Sequence, residues 1–131
     1  MKQATIIVAH PDDEIIWCGG MILQNPEWDW TVLSLCRAND PDRRPKFRAI
    51  CESLDMAGYI SDLDDSNPLK TIRPAREIGW RIREFLSQMD WDLCLTHGPG
   101  GEYGHRRHIE VHDEVSRLAD TGVLRCDELW T

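Results

Sequence analysis

An α/β fold, with a mostly parallel sheet covered by helices, is predicted by two observations. Short apolar runs alternate with segments of helical periodicity, and an acidic turn follows the first of those runs. Residues 4–8 (A-T-I-I-V) read as a buried first strand. Residues 13–24 follow as a helix with Ile15, Cys18 and Ile22 inward, and Gly19-Gly20 inside it is expected to permit close packing on the sheet. Residues 31–36 form a second strand. Over residues 43–57, Phe47, Ile50, Cys51 and Leu54 recur at helical spacing, with Gly58 as the stop.

The Asp-rich stretch 61–67 reads as a polar connection in which Asp62, Asp64 and Asp65 are solvated loop residues. Pro74 opens a third helix on which Ile78, Ile82, Phe85 and Met89 share a face. Residues 91–96 are a further strand, 97–104 a glycine-rich loop, and a fourth helix starts near His105 with Val111, Val115 and Leu118 inward. His105 and His108 fall in that inward register. Residues 126–131 read as the start of one more strand.

Length and composition narrow the function. A chain of 131 residues is one domain able to bury a core, although short for an enzyme that must also enclose a substrate. A net charge of −8 without a basic stripe opposes binding to nucleic acid or to an anionic membrane, so the expected partner is a small molecule. No charged and apolar leader opens the sequence, and no apolar stretch approaches the roughly 18 residues that span a bilayer, so a cytoplasmic location without membrane insertion is expected. Cys18, Cys36, Cys51, Cys94 and Cys126, odd in number and without C-x-x-C spacing, read as reduced thiols that fill the core.

Two distant segments carry chemistry: A-H-P-D-D-E at residues 9–14 and G-H-R-R-H at 104–108. In an open α/β sheet, loops leaving the carboxyl ends of the strands build the ligand crevice, which brings the two segments together. Two imidazoles and one carboxylate leave a tetrahedral zinc with an open position for water, and His10, Asp13 and His108 are the expected ligands. A further carboxylate that does not bind metal accepts the proton of the attacking water, a role that falls to Asp12.

Structural readings stand beside these. Asp12, Asp13 and Glu14 also suit a helix N-terminus, a histidine on an inward helical face is commonly a hydrogen-bonded core residue, and His108 with His112 at i, i+4 is a rival ligand pair. His97 either caps the glycine loop or lines the pocket. Arg37 and Arg44, after the second strand, reach substrate or are ordinary surface residues.

The A-H-P-D-D-E turn together with G-E-Y-G-H-R-R-H at residues 101–108 resembles the PIG-L/LmbE-like family of zinc-dependent N-acetyl-sugar deacetylases, with the likeness running from residue 4 to about residue 118. The resemblance implies a Rossmann-like three-layer sandwich and a hydrolase that removes an N-acetyl or related N-acyl group from an amino sugar or glycoside through a zinc-bound water. It implies His10, Asp13 and His108 as zinc ligands and Asp12 as base. His105 would stabilise the tetrahedral intermediate or protonate the leaving amine, Tyr103 would contact the oxyanion, and Asp65 would hold sugar hydroxyls. Arg37, Arg44 and His97 complete the expected substrate contacts. Family members usually continue beyond the histidine helix with segments that wall the sugar pocket. The expectation is therefore a single domain over 1–131 whose C-terminal portion is missing, or a homo-oligomer in which a neighbouring subunit supplies the wall.

Competing readings are separable. A receiver-like or otherwise non-catalytic metal-binding module has a similar length and an acidic pair after the first strand, but it needs a phosphorylatable Asp after a middle strand, where this chain has His97. A nucleotide-binding turn is opposed by acids standing where pyrophosphate would bind. Two histidines and a carboxylate also suit Fe2+, the alternative ion to Zn2+.

Overall fold

The chain runs β1 (Gln3–Val8), α1 (Asp13–Gln24), β2 (Asp29–Cys36), α2 (Arg43–Ser53), β3 (Ala57–Leu63), α3 (Pro74–Leu86), β4 (Asp90–Leu95), a helical turn α4 (Gly101–Gly104), α5 (Arg106–Asp120) and β5 (Arg125–Trp130) in the computed structural model. Residues 1–67, 69–70, 72–86 and 88–131 are described. Every strand pairing is parallel and the sheet order is β3-β2-β1-β4-β5.

That order reverses direction at β1, and the near-universal right-handedness of parallel crossovers then forces the helices onto opposite faces. One face carries the core around Ile6, Val8, Ile22, Trp30, Val32, Phe47 and Leu93, under α1 and α2. The other carries Ile7, Leu33, Leu35, Ile78, Ile82, Val111, Val115 and Leu118, under α3 and α5. β1 and β2 are buried almost without interruption, as strands covered on both faces must be. The three-layer α/β expectation holds, and the reversal between β1 and β4 is the switch point at which such sheets bind ligands.

Several expected details differ. α2 stops at Ser53 rather than near residue 57: Leu54 caps it, Asp55 takes a φ of 55°, and the Met56 N–H donates to the Cys51 carbonyl at 2.8 Å. The chain then enters β3, which the sequence did not announce. As an edge strand, β3 alternates exposed with part-buried residues and then with the buried Ser61 and Leu63, and it carries Asp62, so it lacks the apolar run that marks β1 and β2. Gly58 does not end a helix. It lies inside β3 where a Cβ would sit 2.6 Å from Cys51 Sγ, so it lets α2 close on the sheet.

Gly19-Gly20 has no such duty. A Cβ on Gly20 would meet nothing within 4 Å, and one on Gly19 would make an ordinary 3.6 Å contact. Met89 lies beyond the end of α3 and is 41% exposed, and the fully buried Leu86 completes the inward stripe instead.

Candidate metal centre

The turn after β1 is built by its own acids. The N–H groups of Asp12 and Asp13 donate to the His10 carbonyl at 3.1 and 3.2 Å, and the His10 N–H donates to Asp13 Oδ2 at 3.0 Å. Asp12 itself takes φ 154° and ψ −24°, outside the regions populated by non-glycine residues. Strain of that kind persists only where surrounding contacts impose it, and it concentrates at functional sites. Glu14 is 1% exposed and accepts the Asp12 N–H at 3.1 Å; burial pushes its carboxyl up to about 7.

Across the switch point, β4 delivers the glycine loop and α5. His105 is the N-cap of α5, its Nδ1 accepting the Arg107 N–H at 3.2 Å, so the neutral ring carries its proton on Nε2. His108, one turn on, is 1% exposed. Next to it Arg107 is equally buried, pairs with Glu110, and donates to the carbonyls of Asp64 and Lys70 at 3.3 Å each, fastening the β3–α3 connection to α5.

Three atoms converge: His10 Nδ1 to His108 Nε2 is 3.3 Å, His10 Nδ1 to Asp13 Oδ2 is 3.4 Å, and His108 Nε2 to Asp13 Oδ2 is 3.2 Å. Tetrahedral ligands at about 2.0–2.1 Å from a zinc ion stand about 3.3–3.4 Å apart, so the triangle matches the face of such a polyhedron. Burial disfavours charge on His10, but the carboxylates of Asp13 and Asp65 outweigh it and raise the ring to about 9. Burial likewise opposes ionisation of Asp13, and the hydrogen bonds from His10 and His108 overcome it, holding the carboxyl well below the usual range. A cation at the centre of the triangle would take the place of the His10 proton.

A cavity of about 290 Å³ opens beside the triangle, lined by His10, Asp12, Asp13, Ile16, Trp17, Arg37, Arg43, Asp65, Tyr103 and His105. The structure thus gathers most of the residues singled out in the sequence: His10, Asp12, Asp13, Tyr103 and His105 with Arg37 and Asp65, and His108 behind His10. Asp65 accepts from His10 Nε2 at 2.9 Å and from Arg37 Nη2 at 3.1 Å. Burial pushes the His105 pKa down, and the charges of His108 and His10 add to that.

Two residues expected to contact substrate lie outside this cavity. Arg44 is exposed, directed to the Ala38 carbonyl at 3.4 Å, and does not line the cavity. Successive residues on a helix point about 100° apart, so turning Arg43 inward, 3.7 Å from Asp12, turns Arg44 away. His97 is 3% exposed and both ring nitrogens are engaged within the protein: Nε2 accepts the Ala9 N–H at 3.0 Å and Nδ1 pairs with Glu102. It lies behind the donor triangle and lines the neighbouring larger cavity instead of this one. His112 donates from Nδ1 to the His97 carbonyl at 2.7 Å and lies outside the triangle that His108 joins.

Glu102, Trp17, Ile16 and Arg43 were not singled out by sequence. A carboxylate inside the glycine loop three residues before His105 was the one available signal, and it pointed to Glu102. A larger cavity of about 490 Å³ is walled by Val8, Trp17, Leu95 and Trp130 with His97 and Glu102, and Trp17 lines both spaces.

Parallel five-stranded sheet, switch-point crevice and convergent His-Asp-His donors define a three-layer, Rossmann-like α/β domain with a centre that could hold a metal ion. Residues 5–119 match the family described as PIG-L, GlcNAc-PI de-N-acetylase, and the chain belongs to that family. It is 26% identical over 153 aligned residues to the 1D-myo-inositol 2-acetamido-2-deoxy-alpha-D-glucopyranoside deacetylase of Corynebacterium diphtheriae, covering 90% of this chain and 52% of that protein. It is also 26% identical over 120 residues to the uncharacterized protein L374 of Acanthamoeba polyphaga mimivirus, covering 81% of this chain and 53% of that protein. The chain therefore spans about half the length of these curated relatives. Among solved structures, the A40926 pseudoaglycone deacetylase Dbv21 superposes with a TM-score of 0.73 at 16% identity, covering 95% of this chain and 62% of that one, which shows a shared fold.

Proposed function

We propose that the chain carries the catalytic half of a zinc-dependent N-deacetylase that releases an N-acetyl or related N-acyl group from an amino-sugar-containing small molecule. The observation that carries this reading is the donor triangle of His10 Nδ1, Asp13 Oδ2 and His108 Nε2, with edges of 3.2 to 3.4 Å. Membership of the de-N-acetylase family and the deacetylase activity named for the corynebacterial relative support the substrate class.

Each residue then has a task that its surroundings suit. His10, Asp13 and His108 would hold the ion, which when bound supplies a Lewis acid that polarises a carbonyl and brings the pKa of a water toward about 7. Asp12 has its side chain 54% exposed at the cavity, with Arg43 3.7 Å away as its ion-pair partner among the described residues, so its carboxylate is placed to take a proton from the attacking water. His105, with its proton on Nε2, would donate toward the tetrahedral carbon's oxygen or the departing amine, and Tyr103, 72% exposed at the rim, would contact the oxyanion. One such donor is worth roughly 3–4 kcal/mol of barrier. Arg37 and Asp65 offer charged partners to sugar hydroxyls, and Ile16 and Trp17 an apolar face to the ring.

Among the described residues no helix is long and apolar enough to cross a membrane. The five unpaired cysteines support a reducing, cytoplasmic setting, and the net acidity supports a small molecule over nucleic acid as partner. Metal analysis of the purified chain, together with amine release from a panel of N-acetylated glycosides, tests the proposal. Stoichiometric zinc with release of a primary amine is expected. Oxygen consumption with bound Fe2+ would point to an iron oxygenase instead, and a chain that binds no divalent ion would end the reading.

A further inference from the structure

We infer that Glu102 is a positioning residue of this centre, one carboxylate that serves both His97 and His108 and presents His108 Nε2 to the ion. The inference rests on the metal-site reading above and extends it to a residue outside the donor triangle.

The rings of His97 and His108 are stacked, with centroids 3.8 Å apart and planes within 10°. Along one edge of the stack, Asp13 Oδ2 lies 3.2 Å from His108 Nε2 and 3.6 Å from His97 Nε2. Along the opposite edge, Glu102 Oε1 pairs with His97 Nδ1 and lies 3.5 Å from His108 Nδ1. The two imidazoles are thus clamped between two carboxylates. His97 Nε2 is an acceptor, because the Ala9 N–H points at it, so its proton is on Nδ1 and is donated to Glu102.

Among the described residues, His108 Nδ1 is buried and has no hydrogen-bond partner. An imidazole that gives Nε2 to a metal must carry its proton on Nδ1, and a buried N–H without an acceptor costs about 1–3 kcal/mol. Glu102 Oε1 is the carboxylate oxygen that faces it, and a small displacement from 3.5 Å closes the bond.

The backbone is arranged to keep that carboxylate in place. Glu102 has a φ of 64°, uncommon for any residue with a side chain, its side chain is 13% exposed, and its second oxygen accepts the Gly98 N–H at 3.1 Å. A glycine would suit that φ better, so the strain points to a requirement for the side chain itself.

The test uses the whole chain with Zn2+ and Co2+ as probes, in wild type, Glu102→Gln and Glu102→Gly. Glutamine keeps the size and loses the charge, whereas glycine removes the side chain and relieves the backbone. Both variants are expected to bind Zn2+ about 10- to 100-fold more weakly in competition with a chelating indicator, and to shift the Co2+ ligand-field spectrum. In the chelated state both variants should keep a cooperative melting transition, lowered in Glu102→Gly because the buried His97 Nδ1 proton loses its acceptor, and a wild-type far-ultraviolet circular dichroism spectrum, which separates loss of orientation from loss of fold. Variants with wild-type Zn2+ affinity and an unchanged Co2+ spectrum would overturn the assignment of Glu102 and leave the donor triangle standing. Failure of the wild type to bind Zn2+ would remove the triangle itself. Should neither variant fold, long-range proton–nitrogen spectra of the wild-type zinc complex decide: a protected, downfield His108 Nδ1 proton supports the inference, and a freely exchanging one at ordinary shift refutes it.

Discussion

The Nε2 of His10 lies 2.9 Å from the Oδ2 of Asp65, a residue 55 positions further along the chain. One imidazole is thereby divided between two tasks: Nδ1 faces His108 and Asp13, and Nε2 is fixed by a carboxylate from the β3–α3 connection. Arg37 and, through the carbonyls of that connection, Arg107 hold Asp65's segment in place. A carboxylate behind a metal-binding histidine sets both its ring orientation and its basicity.

The first expected outcome is a pH effect with a definite sign. In the chelated chain His10 is raised from 6.5 to about 9, so the folded state binds more protons than the unfolded chain between those values. Its stabilisation is complete below about pH 6.5 and is lost as the pH rises through 9. His97 is lowered to about 4, chiefly by burial and then by His108, and its contribution is already constant above 6.5. The melting temperature in chelator should therefore fall from pH 6.5 to 9, and Asp65→Asn should flatten that fall. Zn2+ competes with the same proton, so its affinity should drop by about tenfold per unit of acidification below pH 9. Calorimetry in buffers of different protonation enthalpy measures the released proton.

Substituting the expected base and a ligand should give different phenotypes. Asp12→Asn keeps the donor triangle and should retain Zn2+ while turnover on an N-acetyl glycoside falls by about 10²- to 10⁴-fold. His108→Ala should lose both metal and turnover. An Asp12→Asn protein of undiminished activity would remove Asp12 from the role of base.

Gly58 tests the fold away from the site. In Gly58→Ala the new methyl would lie 2.6 Å from Cys51 Sγ and 3.2 Å from Phe47 Cε1, both buried under α2. Overpacking of this kind costs about 1–3 kcal/mol, and chemical denaturation should show it as a lower midpoint at unchanged slope. Gly20→Ala, with open space around it on α1, should stabilise by about 0.5–1 kcal/mol.

Thiol chemistry should report the same packing. Burial pushes Cys36 up to about 12 and Cys51 to about 11, and raises the fully enclosed Cys94 as well. All three should resist alkylation at pH 8 in the native chain, where their thiolate fraction and access are both small. The part-buried Cys126 should react first. Labelling followed by mass mapping, with unfolded chain as the reference, gives the order.

Legibility in the sequence followed local physics. β1, β2, β4, α1 and α5 each declare themselves through a mainly apolar run or a 3.6-residue stripe, and the expected bounds 13–24 coincide with α1. β3 did not, because an edge strand with one sparse apolar side satisfies its hydrogen bonds through β2 and needs no apolar run of its own. His10, Asp13 and His108, whose atoms form the triangle, could be singled out from sequence because a histidine–acid turn after one strand and a paired-histidine helix after another both belong at the carboxyl ends of the strands, although each residue alone has a structural reading as well. Glu102 could not: a lone acid in a glycine loop looks solvated until the fold wraps its side chain behind two imidazoles.

By itself the sequence determined the α/β class, the parallel order of alternating elements and the two segments that carry imidazoles and carboxylates, because periodicity and residue chemistry are local properties. Only the tertiary structure decided which atoms meet. The reversal of strand order at β1 brings His10 Nδ1 and His108 Nε2 within 3.3 Å, the phase of α2 turns Arg43 toward Asp12 and Arg44 away, and packing buries His97 behind the triangle and sets Asp65 and Glu102 against the imidazoles. Those outcomes depend on crossover handedness and side-chain packing across the switch point, which no stretch of the chain encodes alone.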